Sequence, residues 1–122
     1  TLVMREGKPV MAVSVAGGDQ QDQASLQVVL NRLVFNMETQ AAVRTARFGT
    51  DHHINWFGHA PANLGSLTAP RELPAEVIDG LRSRGHQVTV GRPSASAVIL
   101  TIDPESGLKQ AAGDQGRAAA AY

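Results

Sequence analysis

Two adjacent glycines, Gly17 and Gly18, end an apolar run and precede the polar turn Asp19-Gln20-Gln21-Asp22-Gln23. The run Ala12-Val13-Ser14-Val15-Ala16 is strand-like, and a long amphipathic helix pattern follows the turn. Glycines at such a junction leave two backbone N–H groups with no side chain over them. A pair of this kind suits an anion, or the negative oxygen of a tetrahedral intermediate in acyl transfer. A tight structural turn uses the same two residues, so the local pattern alone does not decide between the roles. A dinucleotide site fits poorly, because the Gly-x-Gly-x-x-Gly spacing is missing and Asp19 would repel phosphate. Asp19 suits either a helix cap or a contact to the amine of a substrate. Gln21 and Gln23 lie near enough to Gly18 in sequence to line a pocket there.

His52, His53 and His59 are the other residues with metal-binding chemistry. Adjacent histidines in a strand point to opposite faces, and no carboxylate–histidine spacing of a zinc site accompanies them. Neither a metal nor a cofactor is expected. His86 follows a helix-ending glycine, where a structural role is the default.

The elements that must hold the glycine pair can be read from periodicity. Leu2 to Met4 and Val10 to Val15 flank Arg5-Glu6-Gly7-Lys8 and read as a hairpin turning near Glu6-Gly7. Leu26, Val29, Leu30, Leu33, Val34 and Met37 form one face of a helix over Ala24 to Asn36, which Asn36 ends. Glu38 to Thr45 reads as a second short helix with Ala41, Ala42 and Val43 partly buried. Arg47 to Pro70 is an irregular stretch with one or two short strands. Leu73 to Arg84 is a helix with Pro74 in its first turn and Gly85 at its end. His86 to Val90 and Ala95 to Ile102 are strands. Asp103 to Gly107 is a turn, and Leu108 to Ala112 is the return strand. No internal repeat and no clear domain boundary is visible. The pattern describes a sheet with helices on at least one face.

The 122 residues suffice for a single domain, or part of one, with a modest core. Apolar residues make up 43% and charged residues 18%, as in soluble globular chains. Eleven basic residues balance eleven acidic ones, which gives no reason to expect nucleic acid or an anionic membrane surface. The chain has no cysteine, so disulfides, thiol nucleophiles and thiolate metal sites are excluded. No apolar run approaches the ~20 residues of a membrane span. The sequence starts at Thr1 inside a strand-like run and reads as a processed or excised piece of a longer protein.

Several segments, in order, resemble the gamma-glutamyltranspeptidase family. Thr1-Leu2-Val3-Met4-Arg5-Glu6-Gly7-Lys8-Pro9 is similar to the family's Thr-apolar-apolar-apolar-Lys-Asp-Gly-Lys hairpin. Gly17-Gly18 follows at the family's distance, and Gly18-Asp19-x-Gln21-x-Gln23 resembles the variant found in transpeptidase-like acylases and amidohydrolases. Asn36-Met37, Gln40-Ala41 and Ala46-Arg47-Phe48 resemble Gly-Met-Asn-x-x-Glu-Ala…Ala-Pro-Arg-Phe, with Ala46 in place of the proline. Leu81-Arg82-Ser83-Arg84-Gly85-His86-x-Val88 resembles Leu-x-x-x-Gly-His-x-Val. Ala112-Gly113-Asp114…Arg117 to Tyr122 resembles the Ala-x-Asp-Pro-Arg…Gly-Tyr terminus, with Gln115-Gly116 interrupting it.

The resemblance implies an α+β fold, the C-terminal part of an αββα N-terminal-nucleophile hydrolase sandwich. It implies that Gly17 and Gly18 supply an oxyanion hole, with Asp19 and Gln21 beside the substrate. The match places Thr1 downstream of the family's catalytic threonine, so the nucleophile is expected outside this chain. The implied partners are a large subunit and the remainder of the small subunit of the same precursor. The implied substrate is a small gamma-glutamyl compound or another amide. Typical members are periplasmic or secreted, and a cytoplasmic location is compatible. The alternative reading is a non-catalytic binding or structural module that keeps the fold. The Ala118 to Ala121 tail, ending in Tyr122, is expected to form a packed terminal strand.

Overall fold

Glu6 and Gly7 take φ of 50° and 76°, the left-handed pair that a two-residue type I′ hairpin turn requires. The computed structural model describes residues 1–56, 58–93, 95–114, 116–117 and 119–120. Among these, the elements in chain order are β1 (Leu2–Arg5), β2 (Lys8–Ala16), α1 (Gln21–Leu33), α2 (Thr39–Arg44), β3 (Ser66–Ala69), α3 (Ala75–Ser83), β4 (Gln87–Val90), β5 (Ser96–Ile102) and β6 (Lys109–Gly113). A single 3-10 turn, Gly18–Gln20, precedes α1. The chain divides into two compact units: Thr1–Ala16, Gln21–Thr45 and Ala95–Tyr122 form the first, Gly17–Gln20 and Ala46–Ser94 the second.

The first unit is an antiparallel sheet in the order β1-β2-β5-β6. The central register runs from Met11↔Thr101 to Ala16↔Ser96. Thr1 prolongs the β1 ladder, donating from its nitrogen to the Val13 carbonyl at 2.8 Å and accepting the Val13 N–H at 2.9 Å. Strand alternation turns Met11, Val13, Ala97 and Ile99 to one face, where Val28 of α1 and Ala42 and Val43 of α2 complete the core. The other face is also largely apolar. There Ala12, Ser14, Val98, Leu100 and Ala111 line a shallow cleft together with Ala119 and Ala120.

The seating of α1 departs from the sequence reading. The helix spans Gln21–Leu33, and its buried residues are Ala24, Val28 and Asn31. Of the expected stripe, Val29 and Met37 pack against the core, but the rest faces outward: Leu26 is 59% exposed, Leu33 45% and Val34 65%. Small Ala24 and β-branched Val28 let the helix axis approach a sheet already filled by Met11 and Ile99, and Asn31 is drawn in by a hydrogen bond to α2. Periodicity identifies an apolar stripe but not the surface that covers it. The helix ends at Leu33, three residues short of the expected end, and Asn36 in the following turn sits at φ 51°. In α2, Ala42 and Val43 are buried, whereas Ala41 is exposed.

The second unit contains a βαβ motif. β3 and β4 pair in parallel from Ser66↔Gln87 to Ala69↔Val90, with α3 between them in sequence. Gly85 ends α3 as expected: at φ 92° it donates to the Arg82 carbonyl at 2.9 Å, while His86 N–H reaches Leu81 at 3.2 Å. These two bonds are a Schellman cap.

Beyond β6 the chain folds tightly back on itself. A Cβ on Gly113 would lie 2.7 Å from the Arg117 carbonyl oxygen, so only glycine fits there. Asp114 holds the end of β6 to β5: its side-chain Oδ2 accepts the Ala97 N–H at 2.7 Å and its backbone N–H donates to the Ala97 carbonyl at 3.0 Å. Arg117 Nε donates to Ser96 Oγ at 3.0 Å. Of the expected terminal strand, Ala118, Ala121 and Tyr122 lie outside the described residues, and Ala119 and Ala120 belong to no strand.

Candidate functional site

β2 ends at Ala16 and the backbone then enters conformations that favour glycine. Gly17 has φ 153° and Gly18 φ 56°, so a side chain at either position would strain the turn. Gln20 N–H closes the turn on the Gly17 carbonyl at 3.2 Å, and α1 starts at the next residue. Among the described residues no hydrogen bond occupies the N–H of Gly17 or of Gly18. Both glycines are half-buried. The turn therefore holds two donors available to a small electronegative group.

Asp19 does not cap α1. Its Oδ2 accepts the backbone N–H of Trp56 at 3.0 Å, 37 residues further along the chain. Gln20 packs against Gly49 so closely that a Cβ there would lie 3.0 Å from Gln20 Oε1. Gly49 in turn exchanges two backbone hydrogen bonds with Thr68 of β3, at 3.0 and 2.8 Å. The turn is thus fastened to the following segment of its own unit by two consecutive side chains. Gln21 is exposed as the first residue of α1.

The histidines are not gathered into a ligand set. His52 Nε2 accepts the Gly65 N–H, a structural use of the ring. Among the described residues no group of three or more His, Asp or Glu side chains is placed to hold a metal ion. No helix among them is long and apolar enough to cross a membrane.

Gly49 and Trp56 were not identifiable as neighbours of the glycine turn from sequence. The available signal was indirect: Trp56 is the only tryptophan, set in a stretch rich in turn-forming residues.

Comparison with known proteins gives these features a family. The sequence profile described as gamma-glutamyltranspeptidase matches residues 1–122. The glutathione hydrolase proenzyme of Bacillus subtilis (strain 168) is 26% identical over 122 residues, covering 99% of this chain and 19% of that protein. The gamma-glutamyltranspeptidase from Pseudomonas nitroreducens complexed with L-DON superposes with a TM-score of 0.78 at 17% identity, covering 100% of this chain and 60% of that one. The cephalosporin acylase from Bacillus halodurans superposes with a TM-score of 0.77 at 22% identity, over 93% of this chain and 20% of that one. The chain spans about a fifth of the Bacillus subtilis relative's length. The α+β class holds, and α1 and α2 on one face of the antiparallel sheet are the helix and sheet layers of one half of an αββα sandwich. With its whole length matched, the chain belongs to the gamma-glutamyltranspeptidase family.

Proposed function

We propose that this chain is the C-terminal portion of the small subunit of a transpeptidase-like N-terminal-nucleophile enzyme that cleaves or transfers gamma-glutamyl or related amide bonds. The observation that carries the reading is the Gly17–Gly18 turn at the end of β2, with its glycine-favouring backbone and two N–H groups that bond to none of the described residues. When a nucleophile adds to an amide carbonyl, negative charge grows on the oxygen. Two fixed N–H donors stabilise that charge without reorganising. The nucleophilic threonine comes from sequence outside this chain, since the resemblance places Thr1 downstream of the family's catalytic threonine, in the β1–β2 ladder opposite Val13. Asp19 keeps Oδ1 for a substrate ammonium while Oδ2 holds Trp56, and Gln21 stands two residues further on.

The open apolar face of the sheet supports the same reading. Ala12, Val98, Leu100 and Ala111 are what a second sheet layer needs to pack against. That layer, with the large subunit, is the partner this chain requires.

The test is Gly18→Ala in the enzyme assembled from the full precursor, assayed with gamma-glutamyl-p-nitroanilide. The methyl group disfavours the φ 56° conformation and shifts the donors, so kcat falls, by roughly 10²-fold where one oxyanion donor is lost. Unchanged turnover in a folded, processed variant removes the oxyanion assignment. No turnover by the unmodified enzyme would favour a non-catalytic module.

A further inference from the structure

The segment after α2 is not a slack connection. Residues 51–63 form a loop closed at its base, where Asn63 N–H donates to the Asp51 carbonyl at 2.8 Å. Ser66 secures the base further, its Oγ accepting the Asp51 N–H at 2.9 Å and its carbonyl accepting the Thr50 hydroxyl at 2.7 Å. Inside the loop, Asn55 N–H donates to the Ala60 carbonyl at 3.0 Å, and Asn55 Oδ1 accepts the Gly58 N–H at 2.6 Å. A loop of this size with joined ends and internal bonds is an Ω-loop, a form often used at functional sites. Phe57 lies outside the described residues.

Two features of this loop have no structural explanation within the chain. Among its described residues, two large apolar side chains face solvent: Trp56 is 78% exposed and Ile54 68%. Its tip is also tied to the glycine turn: the Trp56 N–H donates to the carboxylate of the residue that follows Gly18. Here an exposed aromatic surface is held within one hydrogen bond of the residue next to the glycine pair. Indole offers a large, rigid contact area with a single N–H donor, which is why tryptophan anchors many binding sites.

We propose that this loop is the specificity wall of the Gly17–Gly18 site. Asp19 latches it in place, and Trp56 packs on an apolar or aromatic substituent of the amide substrate. The proposal rests on the oxyanion reading above. It assigns Asp19 a positioning role, and Trp56 the choice among substrates that share one amide bond.

The experiment uses the processed enzyme from the full precursor and two substrates with a common acyl group, gamma-glutamyl-p-nitroanilide and gamma-glutamyl methylamide. The readout is the ratio of their kcat/KM values. Trp56→Ala lowers the anilide-to-methylamide ratio about tenfold, through KM, as expected for loss of one apolar contact. Trp56→Phe restores most of the ratio. Asp19→Ala lowers it as well, because the loop is released. A ratio unchanged in Trp56→Ala overturns the proposal while leaving the oxyanion reading intact. Failure of the Trp56→Ala subunits to assemble also overturns it, since Trp56 would then be covered by the rest of the enzyme. An unmodified enzyme that hydrolyses neither amide removes both readings together.

Discussion

Asn31 joins α1 to α2 from both of its polar ends. Its side-chain Nδ2 donates to the Ala42 carbonyl at 3.0 Å, fully inside the protein, and its backbone carbonyl accepts the Met37 N–H at 3.0 Å. Ala42 lies in the last turn of α2, where carbonyls have no partner along the helix. Asn31 therefore satisfies an acceptor that would otherwise be buried and empty, and it fixes the connection between the helices.

Replacing Asn31 by Leu should destabilise the chain by about 1–3 kcal/mol, the cost of leaving a buried carbonyl unsatisfied. Urea unfolding of the chain with unchanged m-value measures this. A loss below a few tenths of a kcal/mol would mean that water takes over the Ala42 carbonyl and the bond is not structural.

Thr39 and Thr101 form a second buried relay. Their hydroxyl oxygens are 2.7 Å apart, and Thr39 Oγ1 donates to Gln110 Oε1 at 2.7 Å. With that proton committed to Gln110, Thr101 must donate to Thr39. The single variant Thr39→Val strands the Thr101 hydroxyl, which is only 5% exposed, and should cost about 1–3 kcal/mol. Adding Thr101→Val removes the stranded group. The double variant should then be no less stable than the single one, so the two effects are strongly non-additive. Simple addition of the two losses in a double-mutant cycle would show that the hydroxyls act independently.

The contrast between these networks and the visible sequence pattern explains what could be read in advance. The two hairpins were legible because turn residues are local: Glu6-Gly7 and Asp103 to Gly107 carry their conformational instructions within a few positions. The α3 terminus was legible for the same reason, through Gly85. The seating of α1 was not, because it depends on a sheet whose strands are separated by some 80 residues and on a polar residue, Asn31, that the apolar stripe gave no reason to bury. The parallel pairing of β3 with β4 was equally hidden, since short strands record neither partner nor direction. At the candidate site, the Gly17–Gly18 turn was readable as a local backbone requirement. The attachment of Asp19 to Trp56 was not, since nothing in either neighbourhood names a contact across 37 residues.

The turn between β5 and β6 gives a pH-dependent prediction. Asp103 Oδ1 accepts the Ser106 N–H and hydroxyl, each at 2.7 Å, and the Glu105 N–H at 3.2 Å. The Ser106 N–H, followed by its hydroxyl, holds the Asp103 carboxyl below the usual carboxylate range. A carboxylate whose pKa is depressed by folding stabilises the folded state at pH values above the unfolded pKa, about 4. That contribution is lost as pH falls through the lower folded value. Asp103→Asn keeps an acceptor oxygen but removes the charge, so its Tm should lie below that of the parent chain at pH 7. The gap should narrow steadily as pH is lowered toward 3, where the parent carboxylate begins to protonate. Because the turn is open to solvent, salt should also narrow the gap at pH 7. A Tm difference that stays constant from pH 7 to pH 3 would mean that the geometry of the acceptor, and not its charge, holds the turn.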